Sequence, residues 1–128
     1  MITCLFGSSR KDGNSAIAVE NLLKNLNVNF VNLYQSNIEK VTDNRHSKGA
    51  NFHNDDYEQI LIIGGDNPHT KAQPLVNQFK LIFEFMNITN YRFLIGEGNK
   101  PYDILNDSQF IKELANINLA LKKGDIYD

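Results

Sequence analysis

Residues 7–15, Gly7-Ser8-Ser9-Arg10-Lys11-Asp12-Gly13-Asn14-Ser15, separate an apolar run, Met1-Ile2-Thr3-Cys4-Leu5-Phe6, from a helical pattern. In that pattern Ala16, Ile17, Val19, Leu22, Leu23 and Leu26 recur at helical spacing. They predict a helix over 15–26, with Asn14 or Ser15 as its N-cap. Residues 28–33, Val-Asn-Phe-Val-Asn-Leu, read as a second strand. Strand, polar turn, helix and strand in this order form a right-handed βαβ unit with parallel neighbouring strands. The turn therefore stands at the carboxyl end of a strand and the amino end of a helix, where α/β folds collect anionic groups.

The chemistry of the loop suits that position. Its glycines let several backbone N–H groups turn toward one anion. The following helix adds unpaired N–H groups and the positive end of its dipole. The hydroxyls of Ser8, Ser9 and Ser15 and the amide of Asn14 can donate, and Arg10 can hold two phosphate oxygens at once. Two phosphate loops are excluded. The nucleoside-triphosphate pattern GxxxxGK[ST] fails because one extra residue separates the glycines and Asn14 stands where lysine is needed. The dinucleotide pattern GxGxxG fails because serines follow Gly7. A loop for a terminal phosphomonoester remains, with an ordinary polar-capped turn as the alternative.

Further along, Glu58-Gln59-Ile60-Leu61-Ile62-Ile63-Gly64-Gly65 carries four consecutive large aliphatics, as a central parallel strand buried on both faces would. A polar loop over 66–73, a helix over 74–87 with Pro74 in its first turn, and a strand over 91–96 follow. Asn106 and Gln109 stand at capping-box spacing before a final helix carrying Phe110, Ile111, Leu114, Ile117 and Leu121, with Gly124 fitting its stop. Residues 34–57 are polar and weakly patterned, predicting a long loop with one short helix near 38–41, or partial disorder. His46 and His53, near Asp43, Asp55 and Asp56, match no compact metal-ligand spacing, so no metal site is expected. The whole reads as one α/β domain over 1–128. We expect an open doubly wound parallel sheet of four strands in the order 2-1-3-4, with helices on both faces. The 7–15, 64–73 and 96–101 loops would then surround one mouth.

Composition narrows the classes. A chain of 128 residues, 41% hydrophobic and 22% charged, suits one soluble domain with a substantial core. A net charge of −2 and a pI near 5.9 argue against nucleic-acid binding and against a polybasic membrane surface. No apolar run approaches membrane-spanning length, and the first residues read as a strand rather than a signal peptide. One cysteine allows no internal disulfide, which fits the cytoplasm, and Cys4 in its apolar run reads as an inert buried thiol.

The loop residues resemble the N-terminal motif of the NAD(P)H-dependent FMN reductase family, G-S-x-R-x-x-[GS]-x-[ST], over about the first 26 residues. The family's fold is flavodoxin-like and its loop binds the FMN phosphate. The resemblance implies that Ser8, Arg10, Asn14 and Ser15 take that role, with Ala16 beside them. A second family pattern, I-I-x-G-[TS]-P-V-Y-x-x-x-x-P, lies without a gap on residues 62–74. Gly65 and Pro74 agree with it, Asn67 and Pro68 replace its proline-valine, and His69 falls at the aromatic that faces the flavin. Asp66, Asn67, Pro68, His69, Gly96 and Gly98 complete the expected cofactor-binding set. The chain departs from the family in its polar 34–57 stretch and in having only seven residues after the last helical pattern, so it resembles a shortened member.

The resemblance implies an FMN oxidoreductase with NAD(P)H as co-substrate. Electrons would pass through flavin to a small-molecule acceptor such as a quinone, azo or nitro compound, free flavin or metal ion. No catalytic side chain is required, because the cofactor carries the chemistry. Two alternatives stand beside it: a flavodoxin-type electron carrier without nicotinamide activity, and a flavin-free interaction module of the same fold. The helix over 74–87 adds an expectation about assembly. Leu75, Val76, Phe79, Ile82, Phe83 and Met86 form one stripe, while Leu81 and Phe85 fall on a flank, predicting a homodimer.

Overall fold

A computed structural model of the chain describes residues 2–37 and 58–124. The short helix expected near 38–41 and the group of His46, His53, Asp43, Asp55 and Asp56 lie outside the described residues. The elements run β1 (Ile2–Phe6), α1 (Asn14–Leu22), β2 (Val28–Asn32), β3 (Glu58–Gly64), α2 (Pro68–Lys71), α3 (Gln73–Phe85) and β4 (Tyr91–Glu97). A 3₁₀ turn at Asp103–Asn106 leads into α4 (Ser108–Lys123). Among the described residues no helix is long and apolar enough to cross a membrane.

The strands are parallel, as the crossover pattern requires. β1 pairs with β2 from Ile2↔Val28 to Phe6↔Asn32, and β3 pairs with β4 from Glu58↔Tyr91 to Gly64↔Glu97. The single four-stranded sheet expected from the sequence is not observed. The described residues form two separate two-stranded sheets, with no ladder between β1 and β3. α1, which follows β1 in the chain, packs along α4 and reaches β3 instead. β1 also lacks the burial of a central strand, since Phe6 is its one buried residue and Leu5 is 65% exposed.

β3 and β4 carry helices on both faces. On one side Ala18, Leu22, Leu94, Ile104, Phe110, Leu114 and Ile117 form the core, with Leu61 and Ile63 packed against it. On the other side Phe83 of α3 meets Tyr91 at a ring-centroid distance of 4.8 Å, and Phe79 meets Phe93 at 6.4 Å. This two-sided cover explains why every residue of β3 is partly buried. Only Val76 and Phe83 of the expected α3 stripe are buried, and Phe79 is half-buried. Leu75, Ile82 and Met86 are 40–42% exposed, because α3 covers two strands rather than a wide sheet. Leu81 and Phe85 point outward at 66% and 70% exposure.

Helix ends correct the sequence reading in physical terms. α1 stops at Leu22 rather than 26, and Asn25 turns into left-handed backbone with φ 61°. From α4, the buried Asn118 amide donates to Leu22 O at 2.6 Å and to Lys24 O at 3.1 Å, satisfying carbonyls that a helix end leaves unpaired. An Asn118→Leu protein should therefore lose about 2 kcal/mol of stability, because the buried Leu22 carbonyl and the partly buried Lys24 carbonyl lose their donor. A lowered urea midpoint at constant slope is the expected reading, and an unchanged midpoint would refute the cap. α4 begins one residue later than the capping box implied. Asp107, not Asn106, is its N-cap, and Asp107 Oδ1 accepts from Phe110 N at 3.1 Å. Its other oxygen, Oδ2, accepts from Glu97 N at 3.1 Å and so ties the end of β4 to the start of α4. Gly124, at φ 76°, closes α4 as expected.

Candidate functional site

The three loops expected to share a mouth are joined by hydrogen bonds and close packing. From the first loop, the Asn14 amide donates from Nδ2 to Lys100 O at 2.8 Å, and its Oδ1 accepts from Ile104 N at 3.2 Å. From the second, Gly64 O accepts from Gly98 N at 3.0 Å, continuing the β3–β4 ladder by one rung. A Cβ on Gly65 would stand 2.8 Å from Asn99 Oδ1, so the second and third loops also touch there.

The start of α1 is open. Its N-cap is Gly13, in extended backbone, and no side chain caps it. Asn14 and Ser15, the expected caps, are instead the first helical residues. The N–H groups of Asn14, Ser15 and Ala16 therefore stand at an end where a helix makes no internal bonds, and no acidic side chain occupies the first turn. Ser8 Oγ accepts a long bond, 3.4 Å, from Arg10 N, which folds the loop back on itself. Arg10 is exposed, and its guanidinium has no ion pair among the described residues. An uncapped helix end, two hydroxyls and a guanidinium without an ion pair among the described residues together make a setting for an anion.

The second loop is shorter than its polar sequence suggested, because α2 occupies most of it. Asn67 adopts left-handed backbone, φ 44° and ψ 55°, a conformation asparagine tolerates better than most residues. Its carbonyl accepts from Thr70 N and Lys71 N, and Pro68 follows in the first turn, where its missing N–H costs nothing. Pro68 is buried against Gly64, whose added Cβ would lie 2.8 Å from Pro68 Cβ. Asp66 is paired with Lys71 on the surface. His69 is exposed on α2, and its carbonyl accepts from Gln73 Nε2 at 2.9 Å.

The third loop divides in function. Gly96 lies within β4, buried, and faces the core: an added Cβ would be 2.7 Å from both Ile104 Cδ1 and Phe110 Cδ2. Close packing accounts for that glycine. Gly98 faces the mouth, where an added Cβ would be 2.7 Å from Asn14 Nδ2 and 2.9 Å from Ile104 N. Beyond it Tyr102, 61% exposed, takes left-handed backbone at φ 71° as N-cap of the 3₁₀ turn. Cys4 is partly rather than fully buried in β1, and that burial pushes its thiol above the ordinary value.

The structure thus brings Asn14, Gly98 and the second loop's Gly64 and Gly65 into one neighbourhood, next to the open end at Ser15 and Ala16. Ser8 and Arg10 precede that end in the same loop. Gly96 belongs to the core. The turn formed by Lys100, Asp103 and Ile104 carries much of the junction and was missed by motif reading. Its contributions are mostly backbone atoms, which leave no trace in residue type.

No family model matches the chain. The chain is 41% identical over 66 residues to YwqN of Bacillus subtilis, named as an NAD(P)H-dependent FMN-containing oxidoreductase. That match takes in 52% of this chain, and the chain spans 35% of the relative's length. The fold is similar to the solved Trp repressor binding protein from Bacillus subtilis, with a TM-score of 0.66 and 20% identity. That likeness covers 91% of this chain and 99% of the other, and it shows an α/β, flavodoxin-like arrangement of helices and parallel strands.

Proposed function

We propose that the chain forms an FMN-binding oxidoreductase domain. Electrons pass from NAD(P)H through the flavin to a small acceptor such as a quinone, an azo or nitro compound, or free flavin. The observation that carries this reading is the uncapped start of α1 beside Arg10, at the meeting of three loops. The likeness to an FMN-containing oxidoreductase supports it.

In this reading the N–H groups of 14–16, the hydroxyls of Ser8 and Ser15, and Arg10 hold the phosphate. The helix dipole adds a favourable field, and no carboxylate in the first turn opposes the dianion. Asn67, Pro68, His69 and Gly98 border the ring side, with Gly98 leaving room for the Asn14 amide that spans to the third loop. The bound flavin supplies the redox chemistry, and the protein's part is to orient it and shape its surroundings.

Titration of the protein with FMN, followed by quenching of flavin fluorescence, tests the reading. Saturable quenching is expected, with NAD(P)H oxidation by the FMN-loaded protein when a quinone is supplied. Absence of quenching at high protein concentration sinks the flavin site. Quenching without NAD(P)H oxidation by either nicotinamide would leave an electron carrier in its place.

A further inference from the structure

We infer that Asn14 is the positioning residue of the mouth: it fixes the 98–104 segment against the phosphate loop, in place of the phosphate contact that the loop motif implies. The inference rests on the flavin reading above. Asn14 is the first residue of α1, yet its side chain neither caps that helix nor lies along it. It reaches across the mouth to a segment almost ninety positions later in the chain, giving to Lys100 O and taking from Ile104 N. Both ends of the carboxamide are engaged, so the direction of its one remaining N–H is set by that turn.

The receiving turn is itself ordered. Asp103 Oδ2 accepts from Lys100 N at 2.7 Å, and Lys100 O also accepts from Asp103 N at 3.1 Å. Asn14 therefore grips a preformed loop rather than a loose strand end. Room for the grip comes from Gly98: a side chain there would collide with the amide and with Ile104 N. One residue thus sets the spacing between the anion-binding end of α1 and the loop bordering the ring. A flavin that spans both ends needs that spacing before it arrives, and a mouth without the clamp must position the preformed turn as it binds, at a cost in affinity.

Asn14→Ala and Asn14→Asp separate the possible roles. The aspartate keeps an acceptor for Ile104 N but sets a carboxylate against the Lys100 carbonyl. The alanine variant is expected to weaken FMN and riboflavin by a similar factor, about tenfold for the loss of two hydrogen bonds, whereas the aspartate variant should weaken FMN more than riboflavin because its carboxylate stands in the first turn of α1, against the dianion. The visible band of bound flavin should shift in both, because the ring-side loop relaxes. Amide exchange at Ile104 in the ligand-free protein should accelerate in the alanine variant and less in the aspartate variant. Weakening confined to FMN in the alanine variant would overturn the inference and make Asn14 a phosphate ligand. Faster Ile104 exchange with unchanged affinity for both flavins, and an unchanged band, would overturn it in favour of a purely structural bond. A wild-type protein that binds neither flavin removes the flavin reading and the positioning role with it, while normal Ile104 protection would still show that the clamp exists.

Discussion

An Arg10→Ala protein should hold FMN about tenfold less tightly than the wild type and hold riboflavin equally well. Only FMN carries the dianion, so a guanidinium that serves the phosphate distinguishes the two ligands. A hydrogen bond to a charged group contributes roughly 1.5–3 kcal/mol. Arg10 is exposed, and solvent screening holds the expected loss to the lower part of that range. For the same reason the FMN preference of the wild type should narrow as salt is raised. Arg10 has no ion pair to break among the described residues, so the substitution should leave stability unchanged. Fluorescence titrations with both flavins at low and moderate salt measure all of this. Equal weakening of FMN and riboflavin would place Arg10 outside the phosphate site.

Phe110→Ala is expected to remove about 3–5 kcal/mol of stability, a large share of what a domain of this size possesses. Phe110 is 2% exposed and sits among Ile104, Leu114 and the bare backbone of Gly96. Its N–H remains capped by Asp107 in the alanine protein, so the loss reports packing rather than capping. Phe110→Leu, which retains most of the volume, should lose less than half as much. Urea unfolding of the two variants provides the comparison. A loss below about 1 kcal/mol for alanine would mean that the cavity collapses, and that Gly96 is not held by this ring.

The sequence reading succeeded where a signal is local. The aliphatic run of β3, the glycine stop of α4 and the order of strands and helices each follow from a few consecutive residues. It missed by one residue at the start of α4, where Asn106 and Asp107 are both capping types and Asp107 alone also accepts from Glu97 N, at the end of β4. It missed α2, because a single turn begun by Asn67 and Pro68 is too short for any periodicity. It grouped Gly96 with Gly98, since two glycines in one stretch look alike until Ile104 and Phe110 are seen beside the first. The Asn14 clamp and the separation of the strands into two pairs depend on contacts between distant parts of the chain, about which spacing is silent.

Those two strand pairs imply unequal local stability. Opening β1 from β2 uncovers little that is buried, whereas opening β4 exposes Leu94 and the packing around Gly96. Amides of Cys4 and Leu5 should therefore exchange with solvent through small local openings, while those at Phe93 and Leu94 wait for near-global unfolding. The 7–15 loop hangs between these regimes, entering from β1 and leaving into α1, which is packed on α4. A ligand held by that loop would be anchored to the better-protected half through α1 and would draw the looser half onto it. The protection free energy of the β1 amides should rise on ligand addition as the logarithm of one plus the ratio of free ligand to its Kd, so that the first strand reports binding from outside the mouth.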